Sequence, residues 1–281
     1  SFKEDARAGH YYDREIIAQL PAGMPVGLYD LSVSISGGGR GGTCRSPRSV
    51  HIVREWPRDP VAITFGHLDT SGQFQAEYLG RIADMANLSG ADFVLQSTAV
   101  NPAYISGALS RLAIPYVVNF GNHQFPGHEK WFGNPVEIID FGPNLAILNF
   151  GDLWHDSASV SKARQLLAAR PDAQMKIINA FESNAPTEFL DRHQIRLIHD
   201  GHGLGQKVFK IGQTPTLRVG KVNSVSFRVV RFKDNQVHSA TYNDHPTKPI
   251  PFARDAEPPL RLTHSAPNDG TSRRMATTIT N

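Results

Sequence analysis

The chain has 281 residues, with 40% hydrophobic and 20% charged residues and 29 Lys and Arg against 26 Asp and Glu for a formal net charge of +3. This composition supports a sizeable core and excludes disorder as the main state. No block of five or six like charges offers a nucleic-acid stripe, no apolar run approaches the roughly eighteen residues of a membrane-spanning helix, and a lone Cys44 excludes an internal disulfide or a Cys-based zinc site.

Residues 1–56 read as a small all-β module. Leu28 to Ile35 alternates apolar with polar residues, and a second alternating run follows from Ser49 to Val53 after a glycine-rich break. That break, Gly37 to Gly42, formally matches a dinucleotide-binding fingerprint, but Thr43-Cys44-Arg45-Ser46-Pro47 cannot open the required helix, so a hairpin loop is expected. Trp56-Pro57-Arg58-Asp59-Pro60 reads as a linker.

From Val61 to Tyr242 strands alternate with amphipathic helices, which predicts an α/β layered domain over residues 57–242. Strands are expected at residues 61–65, 92–96, 116–119, 145–150, 176–180 and 195–199, with helices at 75–88, 102–112, 160–169 and 187–193. Further strands at 207–211, 216–219, 224–232 and 237–242 should close a second sheet. Residues 243–281 form a proline-rich extension whose last stretch could pair as a hairpin with the N-terminal module. Ser1 in place of an initiating Met leads us to expect a processed or trimmed chain.

Ligands of α/β sheets sit beyond the carboxyl ends of the strands. Three such ends run into His with Asn or Asp: Gly66-His67-Leu68-Asp69, Gly121-Asn122-His123-Gln124 and His199-Asp200-Gly201-His202. Imidazole, carboxylate and amide oxygen together suit a divalent transition metal. No G-x-S-x-G elbow or H-E-x-x-H helix occurs, so esterase and zincin chemistry lack support.

These loops, in this order, resemble the blocks of the calcineurin-like metallophosphoesterases. The family blocks run Asp-X-His, Gly-Asp, Gly-Asn-His-Asp or Glu, a lone His, and Gly-His-X-His. The resemblance covers about residues 61–242. It implies a two-sheet α/β sandwich with a two-metal site, whose ions bridge a hydroxide that attacks phosphorus in line.

The departures bear directly on that chemistry. The first block is inverted as His67-X-Asp69, and the bridging Asp is replaced within Gln96-Ser97-Thr98. Gln124 follows Asn122-His123, Glu182 or Asn184 stands near Pro186 where the lone His should fall, and Leu204 replaces the last His. By this resemblance His67, Asp69, Asn122 and His202 are the candidate metal ligands, with Glu182 and His199 as weaker ones. His123 is the candidate catalytic group if the protein is active.

The cofactor would be one divalent transition metal (Mn, Fe or Zn), or none. Plain structural roles stand beside these readings: a His67–Asp69 hydrogen bond, an Asn122 turn, a solvent-facing His202, a local His199–Asp200 pair, a solvated Glu182, and surface polarity for Asp152, His155 and Asp156. The favoured function is a catalytically impaired or inactive relative serving as a binding or accessory subunit, with a protein partner on the β module or C-terminal tail. The alternative is a phosphoester hydrolase with an altered one- or two-metal site. A periplasmic or extracellular location follows from the resemblance of the N-terminal module to those of exported bacterial phosphoesterases.

Overall fold

A computed structural model of the chain describes residues 2–4, 14–16, 19–35, 42–67, 73–97, 107–108, 110–119, 121, 134–151, 153–202, 207–220, 227–242, 245–251, 261–264 and 277–280. The described strands are β1 (Phe2–Glu4), β2 (Arg14–Ile16), β3 (Gly27–Ile35), β4 (Gly42–Ile52), β5 (Val61–Phe65), β6 (Phe93–Gln96), β7 (Tyr116–Val118), β8 (Val136–Phe141) and β9 (Leu145–Phe150). They continue as β10 (Met175–Ala180), β11 (Ile195–Asp200), β12 (Lys207–Ile211), β13 (Thr214–Arg218), β14 (Arg228–Lys233), β15 (Gln236–Tyr242), β16 (His245–Pro251), β17 (Arg261–His264) and β18 (Thr277–Thr280). The helices described over their full length are α1 (Gln73–Leu88), α2 (Ser157–Ala168) and α3 (Thr187–His193).

Two six-stranded sheets carry the core, one ordered β12-β13-β11-β10-β9-β8 and the other β16-β15-β14-β5-β6-β7. Strands β5, β6 and β7 are parallel, as are β9, β10, β11 and β13, while β8, β12 and β14 join antiparallel. The parallel strands are apolar on both faces because both faces are covered. Ala62, Phe93, Leu95 and Val117 meet Leu145, Ile147, Ile177 and Leu197 between the sheets.

On the outer side of the second sheet, Leu79, Ile82, Ala83 and Ala86 of α1 recur at helical spacing and cover Ile63, Phe65 and Val94. Ala163 and Leu167 of α2 and Phe189 and Leu190 of α3 cover the first sheet's outer face. The α/β two-sheet sandwich expected from the alternating pattern is therefore present.

At the N-terminus β3 and β4 form an antiparallel hairpin, from Gly27↔Ile52 to Ile35↔Gly42. The chain leaving it is pinned by Trp56, whose ring meets Phe141 at 4.9 Å between centroids, and Phe141 in turn meets Phe93 at 4.8 Å. Gly142 has φ +76°, and a Cβ there would lie 2.5 Å from the Trp56 ring. The Asp92 carboxylate accepts from Val61 N–H at 2.7 Å and fixes the entry into β5.

Strand β16, which the sequence pattern places in the proline-rich extension, extends the second sheet beside β15. Strand β18 pairs with β17, whereas the sequence pattern pointed to the N-terminal module as its partner. Most of the expected helix at 102–112 lies outside the described residues. No helix among the described residues is long and apolar enough to cross a membrane.

Candidate functional site

The strand-end loops meet where the two sheets close on each other. Inward-facing residues near the carboxyl ends of β9, β10 and β11 are polar and stand in register: Asn149 beside Asn179, and Asn179 beside His199. Asn179 Nδ2 donates to Asn149 Oδ1 at 3.0 Å, and Asn179 Oδ1 lies 2.8 Å from His199 Nδ1, which must therefore be the donor.

The row also crosses to the other sheet. Asn179 Nδ2 donates to Gln96 O at 3.0 Å and Asn149 Nδ2 to Val118 O at 2.5 Å. All three side chains are buried. Burial, with the charge of buried Arg228 as a second cause, holds the His199 imidazole down to about 3, so it is neutral.

One step further along the strands, the loops themselves touch. His67 N–H donates to Gly201 O at 3.1 Å, and Ser97 Oγ donates to Ala180 O at 2.8 Å. A Cβ built on Gly201 would lie 2.0 Å from Ser97 Cβ and 3.1 Å from Gly66 Cα. One built on Gly66 would lie 2.1 Å from Val219 O. Only glycine fits either position, since backbone and a short buried side chain occupy the space a Cβ needs.

The Gly201-His202 turn is held from beneath by Asp200. Its Oδ1 accepts from His202 N–H at 3.0 Å, while Oδ2 accepts from Ser183 Oγ at 2.6 Å and from Arg218 Nε and Nη2 at 2.9 and 2.6 Å. His199 and Asp200 thus do not form the expected local pair. Neighbours on a strand face opposite ways, so His199 enters the sandwich and Asp200 leaves it.

Glu182 is not simply a solvated residue either. Its Oε1 lies 2.6 Å from His202 Nδ1 and its Oε2 accepts from Asn184 Nδ2 at 2.6 Å. The His202 ring lies against Phe181 at 4.2 Å and 6.4 Å from the ring of buried His67. With a carboxylate engaged at Nδ1, Nε2 is the nitrogen left to meet a proton, an ion or a partner.

Among the candidates, the structure thus brings together His67, His202 and Glu182 at one mouth and places His199 in the layer below it. Asp69, Asn122 and His123 lie outside the described residues; Gly121, which precedes the latter two, is buried. Asp156 caps α2, accepting from Ala158 and Ser159 N–H, which lowers its carboxyl. Asp152 lies outside the described residues.

Asn149, Asn179 and Ser97 were absent from the expected set. A signal for the two asparagines is present in Leu-Asn-Phe and Ile-Asn-Ala, each a polar residue at the penultimate inward position of a buried strand, matched by Ile-His-Asp in β11.

A pair of ions about 3.5–4 Å apart needs a bridging oxygen ligand between them. Within the Gln96-Ser97-Thr98 stretch, where the resemblance calls for a bridging carboxylate, Ser97 has its hydroxyl committed to Ala180 O and its Cβ packed on Gly201. Neither Gln96 nor Ser97 offers a carboxylate that could bridge such a pair. Among the described residues no group of three or more His, Cys, Asp or Glu side chains is placed to hold a metal.

No family model matches the chain, and no curated protein matches it. Among solved structures it is similar to GAP50, the anchor in the inner membrane complex of Plasmodium, at 12% identity over 66% of this chain and 84% of that one, with a TM-score of 0.46. It is also similar to a predicted phosphoesterase from Streptococcus pneumoniae at 12% identity, over 66% of this chain and 90% of that one, with a TM-score of 0.39. A third is Vps29 in complex with zinc from Entamoeba histolytica, at 14% identity over 78% of this chain and 98% of that one, with a TM-score of 0.37. At such identities and TM-scores these likenesses assign neither a function nor a site to this chain.

Proposed function

We propose that the chain is a metallophosphoesterase-like scaffold that has lost two-metal catalysis and works as a binding or accessory subunit. The observation that carries this reading is the direct contact of Ser97 with Gly201, a Cβ on the latter falling 2.0 Å from Ser97 Cβ. The strand ends that would separate around a pair of ions are instead bonded to each other through Ser97 Oγ to Ala180 O and His67 N to Gly201 O. Partner contact falls, in this proposal, to the N-terminal β module of residues 1–56 and to the C-terminal tail, outside the cytoplasm.

A second reading has one observation in its favour. The His67 and His202 rings stand 6.4 Å apart at one mouth, with His202 oriented by Glu182. A carboxylate on one ring nitrogen is the usual support for an imidazole that ligates a metal with the other. A single divalent ion held by His67 and His202, with Asp69 and Asn122 completing the set and His123 beside a phosphoryl group, would make the protein an altered hydrolase.

Elemental analysis after dialysis against manganese or zinc, paired with hydrolysis of an aryl phosphate, separates the two. Absence of both metal and turnover supports the scaffold. Stoichiometric metal with turnover that disappears in His202→Ala replaces it with the hydrolase.

A further inference from the structure

On the outer face of the first sheet, behind the strand-end loops, lies a groove of about 820 Å³ whose walls include Ser183, Asn184, Ala185, Lys207, Phe209 and Arg218. Lys207 and Arg218 are register partners across β12 and β13 and so share this face. Directly opposed like charges on a sheet are destabilising, and an anion between them relieves the repulsion.

Among the described residues one carboxylate, that of Asp200, meets Arg218. Buried Asp200 takes Nε and Nη2 of Arg218 while also serving Ser183 and the His202 backbone, which fills its acceptor capacity. Lys207 has no ion pair among the described residues, and neither does the Nη1 edge of Arg218 have a hydrogen-bond partner there. The guanidinium is fixed in place by Asp200 on one side and by the Phe209 ring, 5.5 Å from its central carbon, on the other. Lysines on an edge strand also discourage strand-to-strand association, but that purpose does not explain a preset arginine and an aromatic floor on the same face.

We propose that this groove binds a ligand bearing a carboxylate or phosphate group on a flat apolar body, the anion between Lys207 and Arg218 and the body on Phe209. The site is distinct from the strand-end mouth and stands whether or not that mouth holds a metal. It also touches the mouth's support, because the Asp200 that holds Arg218 holds the His202 turn as well.

The test is calorimetric titration of the full chain, stripped of metal with chelator and then dialysed free of it, with phenyl phosphate, benzoate and inorganic phosphate. Saturable binding of the phenyl compounds is expected, with inorganic phosphate weaker for want of an apolar body. Comparison of phenyl phosphate with benzoate identifies the anion source. Lys207 is exposed, so Lys207→Ala should fold normally and weaken phenyl phosphate about threefold to fivefold, the worth of a partly screened ion pair. Lys207→Glu should weaken it further, and Phe209→Leu should affect the phenyl compounds more than inorganic phosphate.

Arg218→Gln would strand Asp200 without its cation and is not the informative variant. Absence of saturable binding by either phenyl compound at millimolar concentration overturns the proposal. So does affinity that survives Lys207→Glu but falls in His202→Ala, which would place the anion at the strand-end mouth.

Discussion

Replacing Gly201 with alanine adds one methyl group at the point where the sheets touch. The new Cβ would start 2.0 Å from Ser97 Cβ and 2.4 Å from Ser97 Oγ. Carbon atoms in contact settle about 3.5–4.0 Å apart, so the strand ends must separate by roughly 1.5 Å. Ser97 cannot rotate its Cβ away, and opening the gap strains the hydrogen bonds from Ser97 Oγ to Ala180 O and from His67 N to Gly201 O. Overpacking of this kind costs about 1–3 kcal/mol, and the rigid surroundings put Gly201→Ala toward the upper end.

Ser97→Gly alone should cost about 1–2 kcal/mol, from the lost hydrogen bond and the added backbone freedom. In the double variant the methyl group occupies the vacated space. Its destabilisation should then fall short of the sum of the single changes by about 1 kcal/mol or more, a coupling that additive sites do not show. Urea denaturation of the four proteins measures this directly. A Gly201→Ala cost below about 0.5 kcal/mol, or single changes that add within about 0.5 kcal/mol, would refute the contact on which the scaffold reading depends.

Ser97→Asp puts a carboxylate into the stretch where the resemblance calls for one, yet it should yield no bound metal. It should destabilise the protein by about 2 kcal/mol or more, because a buried carboxylate would face the Ala180 carbonyl, and the Asn119 amide, 3.4 Å from Ser97 Oγ, offers only a long hydrogen bond in return; metal uptake with retained stability would contradict it. His199, held at about 3 against 6.5 in the unfolded chain, binds its proton only in the unfolded state between those values. Its contribution to stability is therefore present above about pH 6.5 and is lost as pH falls toward 3, by at most about 1.4 kcal/mol per pH unit. Urea midpoints across that range should fall less steeply in His199→Gln than in the parent, and parallel curves would count against a buried neutral imidazole. Asp156→Ala should lower the melting temperature by uncapping α2 and Asp156→Asn should recover most of the loss, since either side chain accepts from the first-turn amides; equal losses would point away from capping.

The buried parallel strands were legible because covering both faces leaves unbroken apolar runs such as Val-Ala-Ile-Thr-Phe and Leu-Ala-Ile-Leu-Asn-Phe. Edge strands were less so. β8 carries Glu137 and Asp140 within Val-Glu-Ile-Ile-Asp-Phe and has a partner on one side only, so its polar residues mask it. β16 reads as an extension because His-Pro-Thr-Lys-Pro-Ile-Pro contains three prolines, which an edge position tolerates since one row of N–H groups is not needed for pairing. The start of α2 is polar, and its signal was the Asp156 cap rather than apolar periodicity.

At the site, the loops with glycine and histidine were legible as strand ends. The Asn149–Asn179–His199 row was hidden because one polar residue in an apolar strand says nothing alone. Its meaning comes from the register that sets the three side by side.

That register also changes what the surviving motif residues imply. In a chain resembling a catalytic family, retained Gly66, Gly121 and Gly201 invite the inference that a ligand-binding loop is retained with them. Two of the three have a sufficient reason to be glycine that involves no ligand. A Cβ at Gly66 would collide with Val219 O, and one at Gly201 with Ser97. The Ser97 that crowds Gly201 lies within the stretch where the resemblance calls for the bridging carboxylate. A small hydroxyl at Ser97 that bonds the opposite strand lets the strand ends close. A Gly66→Ala variant should unfold more readily than Gly201→Ala, because its obstacle is backbone carbonyl oxygen at 2.1 Å and no single side-chain truncation can relieve it. If Gly66→Ala proves as rescuable by Ser97→Gly as Gly201→Ala, the two collisions share one cause, and the contact between the sheets is looser than these distances require.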